Sequence, residues 1–517
     1  MKANRYPKVA ALIDIGSSET RMQIAQIRKG KLNRIEALSY PVALGRDVYS
    51  TGRVSQATVR ELIKALEGFL NVIREYAAEE VAAVTTNALR RAENRGFVLD
   101  QVKIRTGLDV MVLEDNEEKS LIYYEMIRTL RESDALPEDT TLFSFVGAGS
   151  VGIAFYTGKT MYDSMTVPTG ALQLGELFRS IQQTTDDFGQ VIADYIHSSL
   201  TYDNLEVDCR NIRNVVFTGS MISVIAAMTD CPFTGNMYRI PVSKMRDLYD
   251  QIRAERPESI ALRYKLSTRT AEMLYLSLAL YLSLVSFTQA DTILSPRSDM
   301  SDCLIRSILL PAELESYKEY QHDIILSCAD TTARFYHCNK AHSDYIRDIS
   351  LKMFDRLAGQ QSLSHRDRMV LELACVLHEC GHAVSARHHL QSGYDVIRHT
   401  DLIGATKSDM LLAATIARYN ELEEPDMSDP QISSLPEDIR TKAAKLTAIF
   451  RIANALDNTH TEKLSDITVR MREETIEISG RTSENMYLEN YAFKQCAAYF
   501  TDVFGTGIRL RVRNALK

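Results

Sequence analysis

Two glycine/serine turns roughly 130 residues apart, Asp14-Ile15-Gly16-Ser17-Ser18 and Gly147-Ala148-Gly149-Ser150, each follow a short apolar run. The acidic pair Glu117-Glu118 lies between them. Gly16 lets the backbone turn sharply enough to offer its N–H groups to an anion, and backbone nests of this kind hold phosphate without a side-chain base. Taken singly, such a turn is equally an ordinary hairpin, and two glutamates are equally a solvated helix start favoured by the helix dipole. The pairing of the turns is what points to a phosphate site closed by two half-domains.

The turns need strands to hold them. Val9-Ala10-Ala11-Leu12-Ile13 is a continuous apolar run suited to a buried strand, and Arg21-Met22-Gln23-Ile24-Ala25 resumes alternation as the return strand of a hairpin would. Thr141-Leu142-Phe143-Ser144-Phe145-Val146 and Val151-Gly152-Ile153-Ala154-Phe155 repeat the design around the second turn. Between the hairpins, helical spacing near Ser55 to Tyr76, a strand at Glu80 to Thr85 and a helix at Asn87 to Asn94 give an α/β rhythm. The rhythm recurs after residue 140, with a helix after Gly170, a strand at Asn214 to Phe217 ending in Thr218-Gly219-Ser220, and a long apolar helix at Thr270 to Thr288. The echo suggests a duplication. After Asp299 strand signals nearly vanish, and Tyr345–Leu357, Asp367–Leu377, Lys407–Tyr419 and Asp438–Leu456 have helical apolar spacing. Alternation returns at Ile467 to Met471, Thr475 to Ile478 and Ile508 to Val512. Four domains are therefore expected, over 1–130, 131–305, 306–460 and 461–517.

A length of 517 residues accommodates two to four domains with proper cores, and 45% hydrophobic with 25% charged residues is ordinary for a soluble globular protein. The net charge of −8 argues against a broad nucleic-acid or anionic-membrane surface, so a polyanion would be gripped in a local pocket. No stretch approaches ~18 consecutive apolar residues and no signal-peptide pattern opens the sequence, so a cytoplasmic protein with no DNA or membrane partner is expected. Eight cysteines without a CxxC pair read as reduced core residues.

The run LIDIGSSETRMQIA resembles the first phosphate loop of the exopolyphosphatase and guanosine pentaphosphate phosphohydrolase (Ppx/GppA) family, whose usual form is DIGSNSxR. The resemblance continues in order through YPVALGRDVYSTGRVS, VTTNALRRAEN, VLEDNEEKSLIY, GAGSVG, VPTGALQL, FTGSM and LHECGHAVSARHH, over essentially the whole length. It implies an α/β + α protein. Two actin-like, ribonuclease H-like half-domains come first, then an all-α domain resembling a degenerate HD phosphohydrolase fold, then a small α+β domain. It also implies release of terminal phosphate from polyphosphate or guanosine pentaphosphate, with guanosine tetraphosphate a further ligand, and a homodimer.

By the same resemblance Glu118 orients or deprotonates the attacking water, a task that needs alignment and a proton acceptor. Arg90 meets charge on phosphoryl oxygens. Asp14 lies near a Mg²⁺ ion and its waters. Gly16, Ser17, Ser18, Gly147, Gly149, Ser150, Gly219 and Ser220 form phosphate-binding turns.

Two departures bear on activity. The second loop of the family reads DIGGGS, and aligning the glycines puts Phe145 where the metal-binding aspartate belongs; a benzene ring cannot hold a hard cation. Glu19 places a carboxylate in the first anion cradle, which weakens binding unless Mg²⁺ or a lysine offsets it. In the helical domain His378, His382, His388 and His389 cluster, but His378 is followed by Glu379 rather than Asp, and Asn420 and Asn454 stand where acidic or histidine ligands would be wanted. These histidines are not expected to form a four-ligand metal shell and are read instead as lining a domain interface or polyanion channel. The retained Asp14, Arg90 and Glu118 favour a hydrolase; the altered loops leave a catalytically weakened polyphosphate- or guanosine tetraphosphate-binding regulator as the alternative.

Overall fold

The computed structural model describes residues 8–514 except 169, 178–184, 186–189, 193, 196, 199–208, 254, 421–424 and 426–427. Thr169, within the VPTGALQL stretch, lies outside the described residues. The chain separates into two compact units, 1–324 and 325–517, and the division falls inside the helix Pro311–Phe335.

The first unit is built on two sheets. In the first, β1 (Val9–Ile15), β2 (Glu19–Arg28), β3 (Lys31–Pro41), β4 (Glu80–Thr85) and β5 (Val110–Val112) lie in the order β3-β2-β1-β4-β5. β1 pairs antiparallel with β2 and parallel with β4, so it is central. That position accounts for its unbroken apolar run: Ala10, Ala11, Leu12 and Ile13 are all buried. The helix Gln56–Glu75 covers the sheet with Leu62 and Leu66, and Ser55 starts it by accepting the N–H of Thr58.

The second sheet contains β6 (Thr141–Val146), β7 (Val151–Thr157), β8 (Thr160–Val167), β9 (Asn214–Gly219), β10 (Met237–Pro241) and β11 (Thr292–Pro296), in the order β10-β11-β9-β6-β7-β8. Read from β8, the antiparallel β8-β7-β6 meander followed by parallel β9 and β11 repeats the first sheet strand for strand, with β10 added antiparallel at the edge. The duplication expected from the sequence is therefore visible in topology.

In the second unit the helices Lys340–Gln361, His365–Leu377, His389–His399, Lys407–Arg418 and Glu437–Ala455 surround a core that includes Leu373, Ile416 and Phe450. The sequence then forms β12 (Ser465–Arg472), β13 (Thr475–Thr482), the helix Tyr487–Phe504 and β14 (Gly507–Asn514). β13 pairs antiparallel with β12 and parallel with β14. No helix among the described residues is long and apolar enough to cross a membrane.

Candidate active site

The two hairpin loops share one construction. Ile15 pairs with Thr20 and the Gly16 N–H donates to Glu19 O at 3.1 Å; Val146 pairs with Val151 and the Gly147 N–H donates to Ser150 O at 3.0 Å. One residue before these closing pairs, Asp14 faces Arg21 and Phe145 faces Gly152. Phe145 therefore occupies the register position of Asp14, now by strand pairing as well as by alignment of glycines.

Both loops line a single cleft of about 930 Å³ within the first unit. Asp14, Gly16, Ser17, Ser18, Glu118, Phe145, Gly147, Gly149, Ser150, Gly219 and Ser220 all contribute to its wall. A side chain has no room at two points, crowded by side chains at the first and by backbone at the second. A Cβ on Gly149 would lie 2.2 Å from Tyr49 Oη and 2.3 Å from Asn87 Oδ1, and one on Gly170 would lie 2.4–2.6 Å from backbone atoms of Gly147, Gly149 and Ser150. The second loop is thus pressed between its own domain and the Tyr49–Asn87 pair of the first, where Tyr49 Oη donates to Asn87 Oδ1 and shares a hydrogen bond with Ser17 Oγ.

The Glu117-Glu118 pair divides its labour at the start of the helix Asp115–Glu132. Glu117 completes a capping box, its Oε2 accepting the Glu114 N–H at 3.0 Å. Glu118, one position on, turns into the cleft, and its carboxyl is raised by burial. Arg90 is held behind it. Its Nη1 donates to Glu118 Oε2 at 3.0 Å and to Leu113 O at 2.7 Å, and its Nη2 donates to Asp115 Oδ1 at 2.8 Å. Asp115 also pairs with Lys119 and accepts from Ser150 Oγ at 3.3 Å. Although burial pushes Asp115 upward, Lys119 and Arg90 hold it below the usual carboxylate range. Ser150, Asp115, Arg90 and Glu118 therefore form one hydrogen-bonded chain from the second loop to the carboxylate that meets the cleft. Arg90 is bonded to Glu118, Asp115 and Leu113 O and stands directly behind the cleft wall that Glu118 forms.

Asp14 is strongly perturbed. Its Oδ1 is buried and lacks a hydrogen-bond partner, and burial, followed by repulsion from Asp299, pushes its pKa up to about 7. Glu19 is neutralised differently from the sequence expectation: not by a lysine but by Arg21, whose Nε donates to Glu19 Oε1 at 2.7 Å. Arg21 Nη1 also reaches Asp299 Oδ2 at 3.4 Å. The carboxylate in the cradle is therefore paired, and its repulsion of an incoming anion is correspondingly reduced.

Sequence reasoning missed the residues that the second half-domain adds. Asp299 lines the cleft and caps the helix Met300–Leu309 by accepting the Ser301 N–H at 3.0 Å. Arg269, in the first turn of the helix Thr268–Ser286, also lines the cleft; its Nη2 is buried without a hydrogen-bond partner, and burial, then Arg46, lower its pKa. An unpaired guanidinium nitrogen at the wall of an anion pocket is a ready phosphate donor. The available signals were the caps Ser267 and Asp299, which mark helix starts but not which way they point.

A model of the Ppx/GppA phosphatase family matches residues 23–295, more than half the chain, and a model of Ppx/GppA phosphatase domain III matches residues 326–496. The chain belongs to the Ppx/GppA phosphatase family. It is 20% identical over 455 residues to the guanosine-5'-triphosphate,3'-diphosphate pyrophosphatase of Photobacterium profundum, covering 87% of this chain and 86% of that one. Among solved structures, the Aquifex aeolicus Ppx/GppA family member aligns at a TM-score of 0.50 with 24% identity, over 59% of this chain and 99% of that one. An exopolyphosphatase from Cytophaga hutchinsonii aligns at 0.52 with 17% identity, over 58% and 97%. These neighbours support the two-sheet fold of the first unit.

In this Ppx/GppA chain the four histidines singled out from the sequence divide between a buried ring and a surface group. His378 is buried, its Nδ1 donates to Cys375 O at 3.0 Å, and burial, then His342, press its pKa down to about 3. The His382 and His389 rings stack 4.1 Å apart on the surface, and His388 precedes the helix His389–His399. Beside His378, among the described residues, His342, Glu379 and His460 bring one nitrogen or oxygen atom each within 4.8 Å of the others.

Proposed function

We propose that this chain is a phosphoanhydride hydrolase of exopolyphosphatase type, releasing terminal phosphate from polyphosphate or from guanosine pentaphosphate. The observation that carries this reading is the convergence of two anion-nest loops and a buried, Arg90-anchored carboxylate on one cleft. The N–H groups of Ser17 and Ser18 and of Ala148 to Ser150, with Arg269, hold the terminal phosphoryl oxygens, while the Gly16 and Gly147 N–H groups close the two turns. Glu118 orients a water for in-line attack and accepts its proton, a role helped by the upward shift that burial gives its carboxyl. Attack breaks the bridging P–O bond, orthophosphate leaves, and the shortened chain or nucleotide carries the leaving oxygen. Arg90 fixes Glu118 while Ser150 reports the position of the second loop to it through Asp115.

The residues present fit a hard divalent cation. The orphaned Asp14 Oδ1, with Asp299 close enough to raise its pKa, supplies oxygen donors that Phe145 cannot. Mg²⁺ held by Asp14 and Asp299 would neutralise phosphoryl charge. Asp299 thereby offers the second carboxylate from a different strand end than the family loop does.

The test is phosphate release from long polyphosphate and from guanosine pentaphosphate, each with and without Mg²⁺. Mg²⁺-dependent release from either supports the hydrolase. Tight binding of both with no release would replace it with the regulator reading.

A further inference from the structure

Two turns of the second unit, one after the helix Pro311–Phe335 and one after the helix His365–Leu377, bring together a pair of thiols that the phosphohydrolase reading does not use. Cys338 Sγ lies 3.5 Å from Cys380 Sγ, and both residues are free cysteines. Their chain neighbours are joined as well, the Asn339 N–H donating to Glu379 Oε2 at 2.7 Å. Two adjacent contacts hold the segments side by side, so a bond of ~2.05 Å between the sulfurs asks for about 1.5 Å of closing movement.

Both turns are fixed by their own backbone. The Cys338 N–H donates to Ala333 O at 2.9 Å and His337 takes a φ of 57°, which closes the helix end. Cys380 opens the short helical turn Cys380–Ala383, wedged in place at Gly381, where a Cβ would lie 1.9 Å from His389 O and 2.4 Å from Gly393 N. The thiols therefore cannot separate widely without unpacking these turns. Access to them is one-sided: Cys380 is fully buried, whereas Cys338 is partly exposed. An oxidant from solvent meets Cys338 first, with Cys380 standing behind it. Other thiols of the chain face different groups; Cys375 donates to Ser350 Oγ and Cys231 to Thr229 O. An accessible thiol poised against a second, sheltered one is the arrangement of a cysteine pair that oxidises reversibly.

We propose that Cys338 and Cys380 form a peroxide-reactive dithiol, Cys338 attacking and Cys380 resolving. The Cys338 sulfur attacks one oxygen of hydrogen peroxide. An S–O bond forms, the O–O bond breaks, and the departing hydroxide leaves with the thiol proton as water. The sulfur is thereby oxidised by two electrons to a sulfenic acid, and the peroxide is reduced. The Cys380 sulfur then attacks that of Cys338; the S–S bond forms, the S–O bond breaks, and hydroxide leaves with the Cys380 proton as a second water. The link closes a loop of roughly 40 residues that contains the helices Lys340–Gln361 and His365–Leu377. Restricting that loop in the unfolded chain raises the melting temperature of the second unit by roughly 5–15 °C.

The full chain is treated with a small excess of hydrogen peroxide, quenched with catalase, alkylated in denaturant and mapped by mass spectrometry without reductant, alongside Cys338→Ser and Cys380→Ser. Most parent chains should carry one linked peptide pair, Cys338 with Cys380, lighter by two hydrogens than the separate thiol peptides and lost on adding dithiothreitol. Cys380→Ser should leave Cys338 as a sulfenic acid trapped by dimedone, and Cys338→Ser should leave Cys380 unmodified. Scanning calorimetry should show the oxidised parent melting higher than the reduced one, with no such shift in Cys338→Ser. Cys338 is partly exposed and serine is close to it in size, so this variant keeps the fold, which circular dichroism verifies. Both thiols still free after peroxide, a disulfide joining other cysteines, Cys380 oxidised as readily in Cys338→Ser as in the parent, or a linked protein that melts no higher would each overturn the proposal.

Discussion

Replacing Asp14 by Asn separates the energetic cost of the cleft carboxylate from its use. Asp14 is raised from 3.8 to about 7 because the fold buries it and sets Asp299 nearby. A group whose folded pKa exceeds its unfolded value binds more protons when folded, so its stabilising contribution is complete below pH ~4 and is lost as pH rises to 7. The loss is the shift times 1.36 kcal/mol per unit, about 4 kcal/mol as an upper bound. Asp14 keeps some exposure to the cleft, and screening there brings the expectation to about 2–4 kcal/mol. Asn reproduces the shape of the protonated acid without the charge. Urea unfolding of the metal-free proteins should therefore show parent and Asp14→Asn equal within ~0.5 kcal/mol at pH 4, with the variant gaining stability between pH 4 and 7 and holding the gain at pH 8. Mg²⁺ at about 100 times its dissociation constant should return about 2.7 kcal/mol to the parent at pH 8 and much less to the variant. A stability difference that does not change with pH would refute the argument that Asp14 carries a buried, unpaired charge.

Arg90→Ala should leave Glu118 and Asp115 without their shared partner, lowering stability by about 2–4 kcal/mol in thermal or urea unfolding and kcat by 100-fold or more. Gly170→Ala should force backbone movement of the Gly147–Ser150 loop, raising KM for polyphosphate at least tenfold in a phosphate-release assay. Phe145→Asp should tighten Mg²⁺ dependence by supplying an oxygen ligand at the position paired with Gly152, measurable as a lower half-saturating Mg²⁺ concentration. Adding Glu19→Ser to it should help less than charge counting suggests, since Arg21 already neutralises Glu19 and would be freed toward Asp299.

What was legible in the sequence was what local rules encode. The continuous apolar run of Val9 to Ile13 implied a strand buried on both faces, and the two Gly/Ser turns implied matched hairpins; both follow from periodicity and glycine geometry. The pairing of Arg21 with Glu19 and Asp299 was not legible, because two residues on one strand and a third nearly 280 positions later meet only through the fold. Arg269 escaped for the same reason. Glu117 and Glu118 looked equivalent until the capping box committed the first to the backbone and left the second to the cleft. In the second unit the dense histidines 378 to 389 stand out in the sequence, but that Glu379 within this stretch meets His342 and His460 from two distant segments is set only by the fold.

The most direct test of the cleft's role is phosphate release by Glu118→Gln. An amide keeps an oxygen to accept from Arg90 Nη1 but cannot take a proton from water. With long polyphosphate or guanosine pentaphosphate and saturating Mg²⁺, the account predicts a fall in kcat of at least 1,000-fold with substrate binding within threefold of the parent. A variant retaining a tenth or more of parental kcat would contradict it.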